Sequence, residues 1–285
     1  TCQQTLSLIL HVVSKQNRYH HHTFDFVVGP DGTIDQAIAA ANAHTKDSTH
    51  RYFIFVPDGE YQLTGNELVA DLGNKLNGMT KITKPRVSLI GQSKSGVTIW
   101  NEPETGGISY SATLHLDKYR EERSKDGKLV GVISDARDFY AQDFTMEDRL
   151  DYWGANAAGQ PTWGVVFWDQ SNRAVLKNVA LKSYQDTYYS NNSSADFRSY
   201  FENCDIAGVV DFLCGDGNIW LEKCNIILRD RSGNNIVAPG QGTIQNWGYV
   251  FNNCTIKPES DNVQSLKNYN WTLARPWNHS PACTF

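Results

Sequence analysis

Three of the six cysteines in this 285-residue chain occur in one recurring phrase, written FENCDI around Cys204, LEKCNI around Cys224 and FNNCTI around Cys254. A fourth copy, LKNVAL, carries Val179 in the cysteine position, and a weaker one, AQDFTM, surrounds Asp143. From Val179 onward the intervals are 25, 20 and 30 residues, room for two or three short strands each. A unit of that size cannot bury its apolar side alone. Stacking on its neighbours solves the problem, so the repeat predicts a solenoid of parallel strands, a β-helix. Val179, Cys204, Cys224 and Cys254 then form one inward ladder. The cysteines read as small buried apolar residues, although rungs about 4.8 Å apart leave one disulfide within reach. The chain has no CxxC pair and no Cys/His metal spacing, so no metal and no cofactor is expected.

The N-terminal part is organised differently. Residues 1–23, with the cluster His20, His21 and His22, read as a processing remnant or tag-like segment. From Phe24 a strand (FDFVV) leads through Gly29-Pro30-Asp31-Gly32 into a helix over 34–43, with Ile34, Ala37, Ile38 and Ala41 on one face. That helix is placed to cap the open end of the solenoid, which is expected to begin near residue 50. Strands follow at RYFIFV, VSLIG (87–91) and VTIW (97–100), separated by turn residues. Residues 24–285 are expected to form a single domain.

Charge and hydropathy exclude other classes. Net charge is −5, so no general surface for nucleic-acid phosphates is built in, and any polyanion-binding face must be local. The longest apolar run, Leu6 to Val13, is far below the ~20 residues a bilayer span needs. No membrane partner is expected.

With the repeat as a ruler, Asp186 lies seven residues after Val179 and Asp211 seven after Cys204. Equal offsets stack on successive coils, so the two aspartates are expected on neighbouring rungs. Carboxylates that close repel, which pushes one toward its protonated form while the other stays ionised. One residue type thus supplies an acid and a nucleophile. Aspartate also caps turns, but Asp186 in SYQDTYY and Asp211 in VVDFLCG have apolar and aromatic neighbours rather than the polar ones usual in turns.

Gln185-Asp186-Thr187-Tyr188 resembles the QDTLY motif of the pectin methylesterases, Asp211-Phe212-Leu213-Cys214-Gly215 resembles their DFIFG, and Ala274-Arg275-Pro276-Trp277 their GRPW. The resemblance extends through VVGPDGTIDQAIAAAN, FVPDGEY and VSLIGQSKSGVTIW, so it covers nearly all of residues 24–285. It implies an all-β fold, a right-handed parallel β-helix, and a secreted, monomeric esterase acting on methyl-esterified homogalacturonan. It makes Asp211 the nucleophile, Asp186 the acid/base, Gln185 the oxyanion donor, Arg275 the group that orients Asp211, and Trp277 a sugar-stacking ring. Tyr188 and Trp163 are expected beside them as further aromatic walls.

The chain departs from the family where a second Gln usually stands 22 residues before Gln185. Trp163 occupies that place, and Gln160 is the nearest residue that would substitute. Leu63 replaces an acid in the GxYxE element, and the chain ends eight residues after Trp277, short of the family's last coil and C-terminal cap. The domain is therefore expected to be incomplete at that end. Two other functions fit the same β-helix: a polysaccharide lyase or glycosidase, and a carbohydrate-binding protein with weak or no catalysis.

Overall fold

A computed structural model describes residues 24–231, 234–242, 246–260 and 271–277. The expectations for residues 1–23, and for Cys2 and Cys283, fall outside them. Each coil contributes three short strands, one to each of three parallel sheets. One coil runs Ala174–Lys177, Ala180–Lys182, Tyr188–Ser190, and the next runs Arg198–Glu202, Asp205–Gly208, Leu213–Gly215. Sheet A has eight strands and sheets B and C seven each among the described residues. Ladder pairing is strictly between consecutive coils, as in Leu176↔Phe201↔Leu221 of sheet A. The fold is a parallel β-helix.

The repeat phrase marks the corner between sheets A and B. Asp143, Asn178, Asn203, Lys223 and Asn253 all adopt left-handed backbone, with φ between 52° and 60°. Asn and Asp tolerate this conformation better than other side chains, which accounts for Asn or Asp at four of these five corners, Lys223 being the exception. The next residue points inward. Phe144, Val179, Cys204 and Cys224 are buried, and Cys254 packs half-buried on the same core. Their carbonyls bond the amides one coil on, from Val179 to Asp205, Cys204 to Asn225 and Cys224 to Thr255. The thiols of Cys204, Cys224 and Cys254 contact one another in sequence and all are free.

Helix α1 (Ile34–Ala43) is closed at its start by a capping box in which Thr33 and Gln36 exchange side-chain and backbone bonds. Its stripe of Ile34, Ala37, Ile38 and Ala41 is buried in the core formed by the first coils. The first full coil starts at Tyr52, and Phe26–Val27 adds one edge strand to it. Elements without the repeat period decorate this frame: an antiparallel hairpin (Arg120–Arg123 with Leu129–Ser134) and helix α2 (Tyr152–Ala157).

Candidate active site

Asp186 and Asp211 sit on the turn that leads into sheet C, one coil apart. The preceding residues Gln185 and Val210 form a parallel bridge, and the Asp186 amide donates to the Val210 carbonyl at 3.2 Å. Both aspartates have left-handed backbone, φ 58° and 50°, so each stands at a forced corner and presents its side chain outward. Neither carboxylate is spent on capping its own turn. The Arg275 guanidinium grips Asp211 through two of its three nitrogens, Nε reaching Oδ1 at 2.8 Å and Nη2 bonding Oδ2. Arg275 stands in register with Ala238 on the adjoining strand, its amide bonded to Val237. Asp186 has no ion-pair partner of its own among the described residues. Burial, and then the facing Asp211 carboxylate, raise its carboxyl well above the usual range, and the Cys214 thiol hydrogen-bonds it. Arg275 is thus paired with Asp211, while burial favours the protonated form of Asp186, an asymmetry that suits a two-step acid and nucleophile mechanism.

These groups open on a cleft of about 370 Å³ lined by Trp163, Gln185, Asp186, Asp211, Arg275 and Trp277, with Tyr110, Cys214 and Ala238 among the remaining walls. Trp163 is 41% exposed at the rim. Its position depends on a close backbone approach: Gly107 N–H bonds the Trp163 carbonyl at 2.9 Å, and a Cβ on Gly106 would lie 2.6 Å from the Pro161 carbonyl. Gln185 is oriented by Thr162, whose hydroxyl donates to its Oε1 at 2.7 Å. The amide nitrogen is the donor left for the cleft. Gln185 is the only side-chain amide among the described residues that line it.

Two expected residues lie elsewhere. Tyr188 is fully buried in the core, its hydroxyl bonded to Asp169 at 3.3 Å. Strand alternation sends it inward and sends Tyr189 outward, where its ring lies 6.1 Å from that of Trp277 and 6.0 Å from that of Trp168. Gln160 is exposed beside a separate depression bordered by Glu102, Arg149 and α2. The sequence reading missed Thr162, Tyr110 and the role of Cys214. A signal for the last existed: Cys214 follows Cys204 by ten residues, as Tyr189 follows Val179, so both face outward in one column.

The structure is a three-sided parallel β-helix that holds an Arg-paired carboxylate beside a buried one on the next coil. The family model for pectinesterase matches residues 127–283, and the chain belongs to the pectinesterase family. It is 27% identical over 283 residues to probable pectinesterase 30 of Arabidopsis thaliana, covering 95% of this chain and 48% of that protein. The chain thus spans about half the length of that relative. Among solved structures it resembles a pectin methylesterase in complex with a hexasaccharide, at 26% identity and TM-score 0.67. Pectin methylesterase PemA from Erwinia chrysanthemi matches with the same values. Each alignment covers 92% of this chain and 73% of the other. No helix among the described residues is long and apolar enough to cross a membrane.

Proposed function

We propose that this chain hydrolyses the C6 methyl esters of homogalacturonan, releasing methanol and leaving pectate, outside the cell that makes it. The observation that carries this reading is the unequal carboxyl pair, with Asp211 clamped by Arg275 and Asp186 buried with no ion-pair partner among the described residues. An ionised Asp211 oxygen attacks the ester carbonyl carbon, and the carbonyl electron pair moves to oxygen. The Gln185 amide donates to that oxyanion. Collapse breaks the bond to methoxide, Asp186 gives it a proton, and methanol leaves an anhydride on Asp211. Asp186, now ionised, takes a proton from water as the water attacks the anhydride; the product acid departs and Asp211 is regenerated. Trp163 and Trp277 flank the cleft, where sugar rings pack their C–H faces on aromatic surfaces.

A family member that binds pectin without turning it over is the second reading, favoured by the single side-chain amide at the oxyanion position. Methanol release from methylated pectin separates the two. Turnover is expected, reduced by about 10³-fold or more in Asp211→Asn with the fold intact by circular dichroism. Near-normal release from that variant would reject the carboxylate nucleophile, and no release from the parent chain would leave the binding reading.

A further inference from the structure

Sheet A carries a second surface with the chemistry of an acidic sugar. In its register Val175, Tyr200 and Trp220 are successive outward residues. Arg198 stands two positions before Tyr200 on the same strand, and so on the same face, and Arg173, at the left-handed corner just before the strand of Val175, lines the same hollow. The result is two parallel columns, one of guanidinium groups and one of apolar and aromatic side chains. Trp247 closes the end of the aromatic column, its ring 6.0 Å from that of Trp220 and nearly perpendicular to it. The loop bearing it is pinned by Asn218, a buried side chain whose Oδ1 accepts the amides of Asn246 and Trp247 at 3.1 and 3.0 Å. Together these residues enclose a hollow of about 320 Å³.

The charges in the hollow are not all consumed. Arg173 is committed to Asp138 through bonds of 2.6 and 2.8 Å, and the Trp220 indole N–H to Glu222 at 3.2 Å. Arg198 is exposed and has no ion-pair partner among the described residues. In a chain of net charge −5, an unpaired arginine beside three aromatic rings is the local anion-binding feature that the composition leaves room for. A guanidinium fork matches a carboxylate, and exposed indole and phenol faces pack on sugar C–H groups. A neutral sugar would leave the guanidinium unused, and a simple anion would leave the rings unused.

We infer that Arg198, Tyr200, Trp220 and Trp247 form a second binding site, on sheet A and separate from the cleft at the edge of sheet C, for a chain of uronic acid residues. The inference rests on the proposed action on homogalacturonan for its choice of ligand. The site holds de-esterified stretches, whose carboxylates are the product of the cleft. It thereby keeps the protein on a polymer that the cleft has already processed, through the gain in effective concentration that two linked sites provide.

Affinity electrophoresis through gels containing polygalacturonate tests this. The full chain is expected to be retarded, more weakly with added salt, and not retarded by a neutral polysaccharide. Arg198→Gln with Trp247→Ala should weaken retention by about 10-fold, while methanol release from a short methylated oligogalacturonide, which occupies the cleft alone, stays unchanged. Arg198→Gln alone, at an exposed position that disturbs no packing, should give part of the loss. Undiminished retention in both variants, or equal retention of the parent by the neutral polymer, would overturn the site. Absence of methanol release by the parent would defeat the esterase reading and leave the retention result legible by itself.

Discussion

Cys204 next to Cys224 and Asp186 next to Asp211 are both pairs of like residues on consecutive rungs, one pair inside the coil and the other on its outer corner. The repeat builds both by the same rule, equal offsets from one ruler. What stacking does to them is opposite. Inside, identical small side chains share van der Waals contact and lose nothing by being alike. Outside, identical acids share a field, so burial and the neighbouring charge favour the neutral form of Asp186, while Asp211 is paired with Arg275. A solenoid thus makes packing from repetition at no electrostatic cost, and makes chemistry only where repetition is costly and a non-repeating residue offsets it.

The sharpest way to break that contrast is Asp186→Asn, which keeps shape and removes the shared field. Loss of the proposed general acid is expected to lower turnover by about 10²–10⁴-fold. The variant also reads the cost of the pair. A carboxyl whose folded pKa is raised contributes stability that is present below its unfolded pKa and is lost as pH rises through the folded value. The parent should therefore lose thermal stability from mildly acidic toward alkaline pH more steeply than the variant. Asp148 and Asp169, both buried with raised carboxyls, contribute the same slope to parent and variant, so the difference isolates Asp186. Superimposable stability profiles would mean that the pair carries no strain.

A smaller effect tests the non-repeating part of the site. Thr162 lies on no repeat offset, yet its hydroxyl decides which end of the Gln185 amide faces the cleft. Thr162→Val leaves the amide free to turn its oxygen inward, where it repels an oxyanion instead of donating to it. Turnover should fall by about 10-fold with KM little changed, less than the 10²–10³ typical when an oxyanion donor is deleted outright. A change in KM alone would make Thr162 a substrate contact and not a positioning residue.

Legibility in the sequence follows the same division. The coil, its inward ladder and the offset of Asp186 and Asp211 were readable because each depends on residues that recur at fixed spacing. Helix α1 was readable because its apolar stripe is local. Tyr188 was misassigned to the cleft wall because a motif gives neighbours in sequence but not the alternation that turns Tyr188 in and Tyr189 out. Gln160 is three residues from Trp163, yet the segment after α2 carries it to another surface. The hairpin at 120–134, helix α2 and the Thr162 contact come from insertions between strands, whose course is set by close approaches such as that at Gly106 and not by any period.

The smallest effect belongs to the interior ladder. Cys224 contacts Cys204 on one side and Cys254 on the other, and its side chain is buried. Cys224→Ala removes one heavy atom from a packed column, and the cost is about 1 kcal/mol, set by how far the two flanking thiols can close the gap. Cys224→Val should cost less, since the chain already accepts valine at the equivalent position, Val179. Urea unfolding reads both, as a lower midpoint with unchanged slope for alanine. Methanol release should be unaltered in either variant, because the ladder meets the aspartates only through the backbone they share. If Cys224→Ala slowed turnover while Cys224→Val did not, coil spacing at the aspartate corner would depend on volume inside the ladder, and the interior and exterior stacks would be one mechanical unit, not two uses of one repeat.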